Sequence, residues 1–258
     1  MNTRNEVTYR SMGADLSSGA RSRQLQYLQA MGVQAWELRL SAAELPAVEP
    51  AAMGATETVA SPDEVVGQSA VSGFDWEMLQ AGVEACSLCE LHSSRTRTVF
   101  GVGNRNADWL LIGEAPGRDE DQQGEPFVGR AGQLLNAMLL AIGLQREQVY
   151  IANILKCRPP NNRDPRPQEV VCCEPYLMRQ IDLIQPGLIL ALGRIAAQNL
   201  LNTETPIGKL RGRVHQFRDT GIPLIATYHP AYLLRSPLEK RKTWQDLQLA
   251  VETLRGQG

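Results

Sequence analysis

Long apolar runs are missing from this 258-residue chain. Its longest uncharged strand-like stretch, Gly187 to Gly193, is far short of the roughly 20 residues that span a bilayer. No apolar core opens the chain, so a signal peptide is not expected and a cytoplasmic address is. Cysteine is scarce and odd in number, at five, which argues against a disulfide scaffold and for free thiols or a metal site. Aromatic residues are only 5%, so the core must be aliphatic. Neither charge dominates: the formal net charge of −2 excludes nucleic-acid binding by bulk charge but leaves room for a local basic patch.

Charge is unevenly spread along the chain. Residues 1–40 carry five arginines and three acids, whereas residues 41–73 carry five acids and no lysine or arginine. The second segment is rich in Ala, Pro, Val, Ser and Thr, and has no aromatic residue and no sustained period. It reads as a flexible acidic linker, too poor in apolar area to fold. The chain therefore divides into an N-terminal peptide (1–40), a linker (41–73) and a domain (74–258).

Within the domain, strands alternate with helices. Trp109 to Gly113, Val149 to Leu155, Gly187 to Leu192 and Ile222 to Thr227 are short apolar runs bounded by turn residues. Helices are expected over Asp75–Ala85, Ala131–Ile142, Pro167–Ile184, Ile195–Leu201 and Leu238–Leu254, with Gly143 and Pro186 as stops. This pattern predicts an α/β fold, a three-layer αβα sandwich around a mostly parallel sheet of four strands. Ligands bind such sheets beyond the carboxyl ends of their strands. Glu114, Asn153 and His229 fall at three of those ends. The pair Gly101-x-Gly103 lacks a third glycine and reads as a turn before the first strand.

Cys86 and Cys89 form a C-x2-C pair, Cys157 follows the second strand, and Cys172 and Cys173 lie on the next helix. Two thiolates at that spacing grip one metal centre, and two more complete four ligands; zinc and a 4Fe–4S cluster both satisfy this arithmetic. Adjacent helical residues point about 100° apart, so Cys172 and Cys173 are not expected to share one small site.

Three long motifs carry a resemblance. Gly113-Glu-Ala-Pro-Gly-Arg-Asp-Glu-Asp-Gln-Gln-Gly-Glu-Pro-Phe-Val-Gly129 is the first. Asn153-Ile-Leu-Lys-Cys-Arg-Pro-Pro160 with Asn162-Arg-Asp-Pro165 is the second, and His229-Pro-Ala-Tyr-Leu-Leu-Arg235 is the third. From about Cys86 to its end the chain resembles the family 4, iron–sulfur, uracil-DNA glycosylases. That resemblance implies a 4Fe–4S cluster on Cys86, Cys89, Cys157 and Cys173, with Cys172 a spare thiol. It implies excision of uracil from DNA, starting base excision repair. Phe127 matches the residue that stacks on the extruded base, Asn153 the amide that reads uracil, and His229 the donor to the departing base. Ala115 stands where the archetypal branch has an acid, so Glu114 and the backbone near Gly117 are expected to serve the sugar side. Glu120 resembles the residue that crowds the uracil C5 position and excludes thymine. Lys209, Arg211, Arg213 and Arg235 resemble backbone-contact and duplex-insertion positions. A non-catalytic iron–sulfur DNA-binding or adaptor protein on the same fold is the alternative.

Leu25, Leu28 and Met31 share one face at helical spacing, with Trp36 beyond. This stretch resembles the N-terminal peptide of the bacterial replicative polymerase psi subunit. Residues 21–40 are therefore expected to contact a replication-machinery protein. Otherwise the expected partner is uracil-containing DNA, and the chain is expected to be a monomer with no membrane association.

Overall fold

The computed structural model describes residues 71–256. The peptide of residues 1–40 and the linker as far as residue 70 lie outside the described residues, and so does the partner contact expected there.

The described chain begins on helix α1 (Trp76–Glu84), capped by Asp75, whose carboxylate accepts the Met78 N–H at 2.9 Å. It continues through β1 (Val102–Gly103), β2 (Trp109–Gly113), α2 (Arg118–Gln123), α3 (Arg130–Ala141) and β3 (Tyr150–Asn153). Helix α4 (Pro167–Ile184), β4 (Leu188–Leu192), α5 (Arg194–Leu200) and α6 (Ile207–Leu210) follow. The last elements are β5 (Val214–Gln216), β6 (Pro223–Thr227), α7 (Pro230–Arg235) and α8 (Lys240–Arg255).

The strands form one sheet in the order β1-β3-β2-β4-β6-β5. The middle four are parallel and β1 and β5 pair antiparallel at the edges. The expected four strands are thus the centre of a six-stranded sheet. At two and three residues, the edge strands are too short to show a period of two. The turn expected at Gly101-x-Gly103 contains β1 instead. Gly103 sits at φ +121° against β3, where a Cβ would lie 1.9 Å from the Val149 carbonyl oxygen.

Alternating side chains feed two cores. Leu110, Ile112, Ile189, Ala191 and Leu224 pack with Leu177 and Ile181 of α4 and Ala196 and Ala197 of α5. Leu111, Ile151, Leu190 and Ile225 pack with Leu135 and Leu139 of α3 and Leu247 and Ala250 of α8. Helices therefore cover both faces, giving the three layers. A third cluster joins Leu79 and Val83 of α1 to Tyr176 of α4 and to Val71, so this linker-end residue is buried beside the domain. No helix among the described residues is long and apolar enough to cross a membrane.

Candidate active site

Parallel pairing brings the carboxyl ends of β2, β3 and β6 to one edge of the sheet. A cavity of about 430 Å³ opens there, lined by Glu114, Ala115, Gly117, Glu120, Phe127, Asn153, His229 and Arg235 among others. Its size suits a small-molecule ligand. Gly113, the last residue of β2, makes the convergence sterically feasible. A Cβ on it would lie 2.4 Å from Asn153 Oδ1 and 2.7 Å from Phe127 Cζ.

Asn153 is 2% exposed, and its Oδ1 is buried with no hydrogen-bond partner among the described residues. Folding leaves such an acceptor unpaired only at a cost of about 1–3 kcal/mol. The cost is recovered if a ligand N–H fills the place. The backbone carbonyl of the same residue accepts from Lys156 Nζ at 3.0 Å, which anchors the strand end.

Phe127 and His229 both line the cavity and sit side by side, with ring centroids 5.5 Å apart and planes at 30°. His229 caps α7: its Nδ1 accepts the Ala231 N–H at 3.1 Å. Nδ1 is then the acceptor nitrogen, so Nε2 carries the proton of a neutral ring. Burial, reinforced by the Arg235 charge, pushes the His229 pKa down to about 4, so the ring is neutral at physiological pH.

Glu114 is pushed up to about 7, first by burial and then by the negative charge of Asp164, with Arg194 opposing. Arg194 pairs with Asp164 at 2.7 Å. Gly117 caps α2 and lets Glu120 approach; a Cβ there would meet Glu120 Oε2 at 2.7 Å. Glu120 Oε1 accepts the N–H groups of Val128 and Gly129 at 3.2 and 3.3 Å, which ties it to the turn beyond Phe127.

Away from this cavity, the five cysteines line a second, small void with Lys156 and Tyr176. Cys157 and Cys173 are buried and Cys86, Cys89 and Cys172 partly so; none is in a disulfide. Among the described residues no group of three or more His, Cys, Asp or Glu is placed to hold a metal ion. Hydrogen bonding sorts the sulfurs further. Cys157 accepts from Arg95 Nη1 at 3.2 Å. Cys172 instead donates its S–H to the Leu88 carbonyl at 3.3 Å, the behaviour of a protonated thiol. Burial pushes the Cys173 pKa up to about 12, and those of Cys89 and Cys157 upward as well. Thiols raised in this way ionise when a metal coordinates them. The residues present therefore fit a thiolate-bound cluster.

The family model described as the uracil DNA glycosylase superfamily matches residues 100–248. The chain belongs to this superfamily. It is 53% identical over 161 residues to a type-4 uracil-DNA glycosylase of Archaeoglobus fulgidus, an alignment covering 60% of this chain and 81% of that protein. It is 40% identical over 185 residues to the type-4 uracil-DNA glycosylase of Thermotoga maritima, covering 70% of this chain and 96% of the relative.

Within this superfamily fold, the structure brings together every cavity residue singled out from the sequence but separates the four basic ones. Arg235 lines the cavity. Lys209 and Arg213 are exposed and make no ion pair among the described residues. Arg211 is committed elsewhere: its guanidinium makes hydrogen bonds of 3.0 and 2.8 Å to the two carboxylate oxygens of the buried Asp246 and lies over the Tyr228 ring. Its charge is spent inside the protein. Sequence reasoning gave no role to Asp164, Asn162, Arg163 and Tyr232, which also line the cavity. The first three stand in Asn162-Arg-Asp-Pro165, a quoted motif whose side chains had no obvious chemistry.

Proposed function

We infer that this chain is a uracil-DNA glycosylase, hydrolysing the N-glycosidic bond of uracil extruded from DNA. The observation carrying the assignment of roles is the unpartnered Asn153 Oδ1 inside a cavity that also holds Phe127 and a neutral His229. Extruding a base costs a few kcal/mol, so the pocket must repay it with stacking and hydrogen bonds. Phe127 supplies the flat apolar wall. Asn153 Oδ1 accepts uracil N3–H while its amide donates to O4. Cytosine presents the reverse pattern and leaves both groups unpaired.

As the bond breaks, negative charge grows on the base, largely on O2. The Nε2–H of His229 donates to it, and because this donor is fixed in advance it favours the transition state over the ground state. The positive charge left on the sugar and the attacking water fall to the side of Glu114. An ionised Glu114 stabilises the cation and accepts the water proton. Glu120 borders the base site and restricts room at C5. Lys209, Arg213 and Arg235 meet DNA phosphates.

Cys86, Cys89, Cys157 and Cys173 would hold a 4Fe–4S cluster. When bound, it supplies iron–thiolate cross-links between the loop after α1, the loop after β3 and helix α4. The contact proposed for residues 21–40 is a replication-machinery protein, supported by their apolar spacing and their resemblance to the psi-subunit peptide.

The test is uracil release from a single uracil-containing oligonucleotide, by the native chain and by Asn153→Ala. The native chain is expected to release free uracil and leave an abasic site. The variant, with its iron and melting temperature retained, is expected to lose at least about 100-fold in rate. Tight binding of uracil-containing DNA by the native chain without release of base would favour the non-catalytic reading.

A further inference from the structure

Phe127 holds a backbone conformation that its residue type disfavours, at φ +54°. A non-glycine residue stays in the left-handed region only where its surroundings over-determine it, and such places concentrate where geometry serves function. Two restraints act from the far side of the turn. Glu120 takes the Val128 and Gly129 N–H groups, and Gly132 makes room for the Phe127 carbonyl, which a Cβ would meet at 1.7 Å. A third acts from the near side and comes from a residue with no assigned role.

Arg146 stands on the single turn Arg146–Gln148 that leads into β3. Its side chain is only 16% exposed. Nη2 donates to the Pro126 carbonyl and, at 3.1 Å, to Glu125 Oε1; Nη1 donates to Asn136 Oδ1 of α3 at 3.1 Å. One planar fork thus fastens three segments: the residues just before Phe127, the helix just after it, and the segment that becomes the strand of Asn153. Among the described residues, no other cationic side chain donates to the Glu125–Pro126 segment.

We propose that Arg146 is a positioning residue for uracil excision, holding the strained Phe127 turn in register with the strand that carries Asn153. The proposal rests on the reading of Phe127 as the stacking wall. Arg146 does not line the base cavity. It acts through the angle at which the Phe127 ring meets the base. A guanidinium suits this task because its donors lie in one rigid plane, and lysine cannot reproduce the fork. Loss of the fork lets the turn relax toward ordinary φ, which moves the ring and leaves the phosphate contacts untouched.

The experiment is single-turnover excision from a uracil oligonucleotide by the native chain, Arg146→Gln, Phe127→Ala and the double variant. Binding of uracil-free DNA and iron content are followed in parallel. Arg146→Gln is expected to lower the excision rate roughly 10- to 100-fold, with uracil-free DNA bound within about twofold of native. In the Phe127→Ala background the same change is expected to cost less than about threefold, because no ring is left to position. A native rate for Arg146→Gln, or an equal loss in both backgrounds, overturns the proposal. If glutamine at 146 prevents folding, Arg146→Lys and Glu125→Gln are read in the same cycle with the same two outcomes. A native chain that releases no uracil removes the functional reading and this inference together. An active native chain with a fully active Phe127→Ala removes the stacking role and the inference but leaves the activity.

Discussion

The base cavity and the cysteine pocket lie beside the same strand end, yet they are finished differently. Asn153 closes β3 and Cys157 follows four residues later, with the buried Lys156 between them. Lys156 borders both sites: Nζ bonds the Asn153 carbonyl and Gln180, and the residue also lines the void that holds the cysteines. In the cavity, an acceptor is left unpaired, and polar groups line a space of about 430 Å³. In the cysteine pocket, all four expected ligand sulfurs line a small void, and that of Cys157 accepts a hydrogen bond from Arg95. A site that must bind and release a base keeps its unmet hydrogen bond for the visitor. The pocket proposed to retain a cofactor instead gathers its sulfurs around a small void. The contrast predicts that damage to the first costs activity alone, whereas damage to the second costs the protein its integrity.

The largest effect tests the second half of that contrast. Cys173→Ser is expected to abolish iron retention and the visible absorbance of a cluster, and to lower the melting temperature. Cys172→Ser is expected to leave all three near native, since that thiol donates to a carbonyl and serves no sulfur-accepting role. Iron analysis of the two purified proteins decides it, and the reverse pattern would make Cys172 the ligand. Next in size is His229→Ala. Removing one positioned donor from a developing anion costs about 100- to 1000-fold in rate. Iron content and melting temperature should stay within error of native. A His229→Ala variant that loses iron would mean that the two sites are one structural unit.

Glu114 and His229 give the cavity a pH signature. With the Glu114 pKa pushed up to about 7, excision should rise with pH through that value and level off above it. His229, held down at about 4, should add no break above pH 5. Glu114→Gln should flatten the profile and lower its plateau roughly 100-fold. Stability follows from the same shifts. Between 4.5 and about 7 the native state holds a proton on Glu114 that the unfolded chain has lost, so this group's contribution falls as pH rises. His229 acts oppositely: between about 4 and 6.5 the unfolded chain is the protonated one, and stability rises with pH. The two oppose each other up to pH 6.5, above which only the Glu114 loss remains. A pH–rate profile flat from 6 to 8 would take Glu114 out of the chemistry.

The central sheet was legible because buried parallel strands are short apolar runs with clear stops. Trp109–Gly113 and Pro167–Ile184 have the same bounds in the sequence reading and in the structure. Asn153 and His229 were legible because each sits in a long motif at a strand end, and Phe127 because it sits in a long motif that begins at one. What escaped depends on distant pairings that no local period records. The edge strand β5 exists only against β6, and the fork of Arg146 makes sense only once Pro126 and Asn136 stand beside it. Arg211 shows the same limit from the other side. Read with Lys209 and Arg213 as one basic loop, it turns inward to an aspartate 35 residues away.

That inward turn yields the smallest expected effect and divides the basic loop. Each lysine or arginine that meets a phosphate displaces counterions, so its removal should weaken binding alike on uracil-containing and uracil-free DNA. It should also reduce the slope of log affinity against log salt by about 1. Lys209→Ala and Arg213→Ala are expected to behave in this way, since both are exposed and make no ion pair among the described residues. Arg211→Ala should leave the slope unchanged. Its cost should appear in denaturation instead, because it strands Asp246, whose side chain is 0% exposed and also accepts from Thr227. Breaking such a buried pair from one side typically costs about 3–5 kcal/mol. Salt titrations and denaturant melts of the three variants separate the two behaviours. If Arg211→Ala lowers the slope and leaves stability intact, the Asp246 pair opens in the complex and the charge belongs to the DNA surface after all.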